Sequence, residues 1–198
     1  SPGVYFSQEI DKTSDKEVFI GKMIPGRGAW LEFDTDKRDT LGVRVDRKRR
    51  QHITGFLMAL DVIENKEDAI ELLGDYPSVR NTIERDPDTT REAALIDLYR
   101  KLRPGEPATV ESARNLVKQM FYTPKRYDLT KVGRYKVEQK LGRQYGEKDA
   151  ESYTTEDDGM LRIEDMIDSI KYVIALHAGE DSFINNKGKE IPVRLDDI

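Results

Sequence analysis

Apolar residues alternate with polar ones as far as Arg50 and then recur every three or four positions. That switch of period restricts the chain to folds in which a small sheet is segregated from a helical body. Val18 to Ile24 is β-prone and stops at the turn cluster Pro25-Gly26-Arg27-Gly28. Leu31 and Phe33 alternate with Trp30, Glu32 and Asp34. Beyond the polar turn Asp36 to Asp39, Leu41, Val43 and Val45 alternate with Gly42, Arg44 and Asp46. Alternation of this kind gives strands with one buried and one wet face. The segments read as an antiparallel meander.

From His52 the period is helical. His52 to Leu60 and Lys66 to Leu73 are short helices, the second closed by Gly74. Thr89-x-x-Glu92 reads as a capping box. Leu95, Leu98, Tyr99 and Leu102 then share one face until Arg103-Pro104-Gly105 stops the helix. Thr109 caps the next one, with Ala113, Leu116, Val117, Met120 and Phe121 on one side. Lys131 to Leu141 is helical, and 142–160 is a polar loop. Ile163, Met166, Ile167, Ile170 and Ile174 define a long amphipathic helix ending near Gly179. Phe183-Ile184 and Ile191-Pro192-Val193, around Asn186-Lys187-Gly188, suggest a hairpin. The expectation is one α+β domain over 1–198, a small antiparallel sheet with a predominantly helical remainder. Residues 1–50 are mainly strands, 51–141 helical, 142–160 a loop, and 161–198 a helix plus hairpin.

Composition removes several function classes. Cysteine is absent, which excludes disulfides, Cys-ligated zinc and thiol catalysis. The two histidines, His52 and His177, are far apart, which removes His-rich metal sites and speaks against a Ser-His-Asp triad. No apolar run approaches the ~18 residues of a membrane span. No signal peptide is visible, so a cytoplasmic location is expected. The net charge of −5 is unevenly spread. Residues 1–50 carry 11 Lys and Arg against 9 Asp and Glu, 51–146 carry 16 against 15, and 147–198 carry 6 against 14. A partner feels the local field, so overall acidity does not exclude nucleic acid along the first three quarters.

The strongest local signal is Arg44-Val45-Asp46-Arg47-Lys48-Arg49-Arg50, with five cations in seven residues at a strand-to-helix junction. It is either a solvated strip or a site where phosphates displace counterions. Trp30, the sole tryptophan, shares the polar strand face. It either presents its indole for base stacking beside the strip or folds over to plug the edge of the core. Arg103 and Arg126 lie in loops that bracket one helix, positions suited to phosphate oxygens. Asp34 and Asp36, on one strand face, either share a divalent cation or form the wet side of the meander. Gly26-Arg27-Gly28 lacks the third glycine of a dinucleotide loop, and Asp86-x-Asp88 lacks the glycine and distal glutamate of a calcium loop. His177 suits the C-terminal end of a helix dipole. The acidic last helix, around Met166 and Ile170, is an alternative surface for docking a protein such as a transcription factor, without autonomous DNA binding.

Several longer motifs occur in one order along the chain: Ser1-Pro-Gly-Val-Tyr-Phe6, Ile24-Pro-Gly-Arg-Gly-Ala-Trp-Leu-Glu-Phe-Asp34 and Val43-Arg-Val-Asp-Arg-Lys-Arg-Arg50. They are followed by Ile96-Asp-Leu-Tyr-Arg-Lys-Leu-Arg-Pro-Gly-Glu-Pro107, Arg126-Tyr-Asp-Leu129 and Val132-Gly-Arg-Tyr-Lys136. Together they resemble the lobe (β2) domain of the β subunit of bacterial DNA-directed RNA polymerase, from the first residue to Leu195-Asp-Asp-Ile198. A start without methionine and an abrupt end are expected of a domain excised from a longer chain, and an inserted domain should have neighbouring termini.

The resemblance implies an α+β lobe on one wall of the downstream DNA cleft. Trp30 matches a tryptophan that stacks on a non-template base at the downstream edge of the bubble. Asp46, Arg47, Arg103 and Arg126 match positions that line or flank that strand's path. Arg103, Pro104, Gly105, Glu106 and Pro107 resemble the gate loop, which faces the clamp and meets NusG-type elongation factors. The implied partners are the rest of β, β′, α and σ, with downstream duplex and single-stranded non-template DNA, and no membrane. The family's nucleotidyl transfer uses two metal ions. The resemblance places the catalytic magnesium on β′, so no cofactor and no catalytic residue are expected in this chain. A pocket for a flipped guanine would draw on Ile198 and on residues outside the chain, so no base specificity is expected.

Overall fold

The computed structural model describes residues 1–143 and 153–196. Ile198 and the middle of the expected 142–160 loop lie outside the described residues. Five strands form one antiparallel sheet in sequence order: β1 (Gly3–Ile10), β2 (Glu17–Ile24), β3 (Leu31–Thr35), β4 (Leu41–Val45) and β5 (Gln51–His52). The register stacks inward-facing residues across the sheet, with Val4 opposite Met23, Met23 opposite Leu31, and Leu31 opposite Val45. In the next row Gly21 lies between Phe6 and Phe33. A Cβ on Gly21 would come within 2.7 Å of the Phe6 ring, so glycine there gives the ring its place. Phe6 in turn stacks on Tyr172 with ring centroids 3.7 Å apart.

The helices are α1 (Ile53–Ala59), α2 (Ala69–Leu73), α3 (Pro77–Arg85), α4 (Arg91–Leu102), α5 (Val110–Phe121), α6 (Thr130–Lys140) and α7 (Ile163–Ala178). A small hairpin, β6 (Ser182–Ile184) with β7 (Glu190–Pro192), follows α7. This is an α+β fold. The α7 helix packs against β2 and β3, α6 packs against β1, and α4 and α5 pack on each other. Met166, Ile170, Val173 and Ile174 of α7 are buried, and Gly179 ends the helix in a left-handed turn. Asp196 bonds both ways with Phe6: its N–H donates to the Phe6 carbonyl at 2.8 Å, and its carboxylate accepts from the Phe6 N–H at 2.7 Å.

Several local expectations are corrected. The α4 cap is Thr90, whose hydroxyl accepts from the Ala93 N–H at 3.1 Å, rather than Thr89 in a box with Glu92. The α3 helix was not anticipated. Its Pro77 occupies the first turn, where a missing N–H costs nothing. The C-terminal part of the expected loop forms a helical turn, Thr155–Gly159, pinned by Arg134. That arginine is wholly buried, with Asp165 and Glu138 as its acid partners.

Candidate nucleic-acid interface

The turn between β4 and β5 is the centre of the site. Asp46 and Arg47 both adopt left-handed backbone, φ 55° and 58°, and the Lys48 N–H closes the turn on the Val45 carbonyl at 3.0 Å. Two consecutive positive φ values make this a type I′ turn, which favours Asn-Gly and strains larger residues. The Asp46 N–H donates to the Trp30 carbonyl at 2.9 Å, extending the β3–β4 ladder by one step. The turn thereby brings the Arg47 guanidinium over the Trp30 ring, 4.2 Å from its centroid. Trp30 is partly exposed and lies outside the buried core.

The five cations of the strip do not act alike. Arg50 folds back over Gly42, and its Nε donates to Asp34 at 2.6 Å while its Nη2 donates to the Thr40 carbonyl at 2.9 Å. A Cβ on Gly42 would lie 2.2 Å from that Nε, so the clamp requires glycine. Arg44 adds a 3.2 Å contact to the same carboxylate. Asp34 is 6% exposed, although strand alternation places it on the wet face. Burial pushes its carboxyl above the usual range, and the two arginines pull it back. Arg50 also reaches Asp36, at 3.4 Å. A guanidinium thus fills the space between the carboxylates of the metal-site alternative. Among the described residues, no group of three or more His, Asp or Glu is arranged to hold a metal ion. Arg47, Lys48 and Arg49 remain as the outward-facing cations of the strip.

Arg126 arrives through a short backbone bridge. The Pro25–Gly28 segment is more than a turn: Gly26 and Arg27 N–H groups donate to the Asp128 carbonyl at 2.9 and 3.1 Å. The Asp128 N–H returns a bond to the Arg27 carbonyl at 2.8 Å. Gly28, at φ 120°, faces the Arg126 carbonyl so closely that a Cβ would stand 2.7 Å from it. Arg103 arrives from the C-terminus of α4, its N–H bonded to the Tyr99 carbonyl at 2.7 Å. The loop that follows is exposed from Arg103 to Pro107. It is tied back by Tyr99, whose hydroxyl donates to Glu106 at 3.1 Å, and ends at the Thr109–Ser112 capping box of α5.

These loops meet. Asp46, Arg103 and Arg126 line one hollow of about 190 Å³, whose other walls are Ala29 and the α5 residues Leu116, Gln119 and Met120. A second hollow of about 500 Å³ is lined by Arg47, Lys48, Arg49 and Arg50 on one side and by Lys101 and Pro104 on the other. Adjacent residues link the two, Asp46 to Arg47 and Arg103 to Pro104. Trp30 joins the group through its bond to Asp46 and its contact with Arg47. Asp46, Arg103 and Arg126 thus line one hollow and Arg47 lines the adjoining one, while Trp30 is tied to both through Asp46 and Arg47. Gln119 and Lys101 were not singled out from sequence, because a polar helix position gives no signal of what faces it. Lys101 is held by Asp97, four residues before it. Burial and the neighbouring Asp97 push the nearby Asp88 carboxyl up to about 7.

Two other expectations resolve here. Met166 and Ile170 are wholly buried, which removes them as a protein-docking surface. His177 Nε2 lies 2.9 Å from Asp39, a contact from the end of α7 to the β3–β4 turn.

Compared with known proteins, residues 1–183 match the family model described as RNA polymerase Rpb2, domain 2. The DNA-directed RNA polymerase subunit beta of Streptomyces avermitilis is 52% identical over 198 residues, and that of Streptomyces coelicolor 50%. The subunit beta of an Arthrobacter species is 49% identical over 203 residues. Each match takes in the whole chain but 16% of the relative's length. The chain belongs to the domain 2 family of RNA polymerase Rpb2 subunits.

Proposed function

We propose that residues 1–198 are one lobe domain of a β subunit, forming a wall of the downstream DNA cleft and holding the displaced non-template strand during transcription. The observation that supports this reading is that Asp46, Arg103 and Arg126 share one hollow, with Arg47 on the adjoining one and Trp30 bonded to Asp46 and lying beneath Arg47. In it, an unpaired base stacks on the exposed part of the Trp30 ring, an interaction worth about 1–3 kcal/mol per base. Arg47, Arg103 and Arg126 neutralise the phosphates on either side. Each phosphate met this way releases counterions, so binding weakens with salt by a slope of about 0.7 per contact for a single strand. The Asp46 carboxylate, set among cations, accepts from a base amine and repels phosphate, which keeps the backbone outside and the base inside.

The loop from Arg103 to Pro107 is the proposed contact for clamp and NusG-type factors. The wider partners are the rest of β, β′, α, σ and downstream duplex DNA, in the cytoplasm. No helix among the described residues is long and apolar enough to cross a membrane. The polymerase's nucleotidyl transfer is assigned to the assembled enzyme, with magnesium on β′ and no cofactor in this chain. The carboxylates of Asp34 and Asp36 do not fit that ion, because Arg50 already occupies the space between them.

The test is Trp30→Ala in the assembled polymerase. Loss of one stacked base predicts open complexes that dissociate about tenfold faster, within the range set by about 1–3 kcal/mol. Open complexes of unchanged lifetime would overturn the assignment.

A further inference from the structure

On the other flank of α5 lies a third cationic hollow, of about 240 Å³, which the proposed DNA path does not use. Its floor is apolar, built from Ala59, Leu60 and Val117. Its rim carries Arg91, Arg114 and Lys118, with the Tyr122 ring beside them. Arg91 is fixed in place: its Nε donates to the Met58 carbonyl at 3.2 Å, and its Nη2 lies 2.5 Å from Asp61. Asp61 itself stands in left-handed backbone, φ 61°. It is the one carboxylate on the rim, so the rim keeps a surplus of two positive charges.

Arg114 and Lys118 sit four residues apart on one face of α5, where like charges destabilise a helix. Both are exposed. The chain thus carries an unfavourable pair beside an apolar floor. Phosphates alone would not need such a floor. A nucleic-acid backbone is polar throughout, whereas Leu60 and Val117 match an apolar side chain. The charge and the floor together fit a peptide in which one aliphatic residue is flanked by carboxylates.

We propose that this hollow docks an acidic segment of a protein partner, with an aliphatic side chain seated against Leu60 and Val117 and carboxylates paired to Arg114 and Lys118. The site is separate from Trp30 and does not rest on the DNA reading.

The experiment titrates the 198-residue chain with a labelled nonapeptide holding one leucine between two pairs of glutamates, read by fluorescence anisotropy. Arms with the leucine changed to serine and with single-stranded oligo-dT of ten nucleotides run alongside. Affinity for the leucine peptide should fall at least about tenfold with Arg114→Glu/Lys118→Glu and again with the serine peptide. Oligo-dT binding should keep its affinity in that double variant. Circular dichroism checks that the variant remains folded. No binding of the leucine peptide, or binding indifferent to the double variant or to the leucine, would overturn the proposal. Oligo-dT binding that is lost in the double variant would also overturn it, by making the hollow a phosphate site.

Discussion

Arg134→Met should destabilise the fold more than any surface change near the proposed DNA path. Every guanidinium nitrogen of Arg134 is used. Nε donates to the Asp158 carbonyl at 2.6 Å, and Nη2 to the Met160 carbonyl at 2.8 Å and to Asp165 at 3.0 Å. Nη1 donates to Asp165 at 2.8 Å and to Glu138 at 3.0 Å. Methionine fills much of the same volume but supplies no donor. The half-buried Asp158 and Met160 carbonyls lose this donor, and Asp165 keeps Arg143, at 2.6 Å, and the Arg162 N–H, at 2.9 Å. Breaking a buried pair in this way costs about 3–5 kcal/mol, against a total stability of about 5–15 kcal/mol. With a urea slope of about 2 kcal/mol per M, the midpoint should fall by about 2 M.

Acid dependence gives a second reading of the same network. Burial alone would raise the Asp165 carboxyl, but the Arg134 and Arg143 guanidiniums outweigh it and hold it below the usual carboxylate range. A depressed acid contributes stability that is present above its unfolded value near 3.8 and is lost as pH falls through the folded value. Arg134→Met should therefore also flatten the loss of stability below that pH. A midpoint shift under about 0.5 M, with acid dependence unchanged, would refute the account of this network.

Two further predictions follow from single contacts. Gly28→Ala places a Cβ 2.7 Å from the Arg126 carbonyl in a backbone region that disfavours side chains. It should cost about 1–3 kcal/mol in thermal or chemical unfolding and weaken DNA binding through the displaced Arg126; full retention of both would count against the bridge as the positioning element. Asp168 is pushed up to about 6, chiefly by burial, with Arg143 pulling the other way. A folded pKa above the unfolded value means that Asp168 contributes a loss of stability as pH rises from about 4 to about 6, added to those of Asp34 and Asp88. Asp168→Asn should make that fall shallower in a pH series of unfolding midpoints, and an identical series would contradict it.

The meander was legible because Leu31, Phe33, Leu41, Val43 and Val45 keep a period of two, and α7 because its isoleucines keep the helical one. Strand β1 was not delimited: only Val4 and Phe6 point into the core, while Gln8, Glu9 and Ile10 are partly or fully exposed. Helix α3 escaped because its buried side, Ser78, Val79 and Thr82, is mostly polar. Thr82 is there to bond the Leu41 N–H of β4 at 2.8 Å, which no hydropathy pattern reports. Charged residues turned inward, Arg134, Asp165, Arg50 and Asp34, are invisible to the same patterns, since hydropathy does not report which partner a charge meets. At the candidate site the residue types were legible and the grouping was not. Arg103 and Arg126 are 23 positions apart in the sequence, and only the Arg27–Asp128 bridge and the α4–α5 packing bring them to Asp46.

In the proposed function, Trp30 and the cations around it form one strand path. Trp30 is the sole tryptophan, so its emission reports that place alone. Titration with short single-stranded DNA at low salt should quench it. Quenching should fade as salt rises and should be largely lost in Arg103→Ala/Arg126→Ala. Emission that does not respond to DNA in either the chain or the assembled polymerase, or quenching that the double variant leaves intact, would contradict the account.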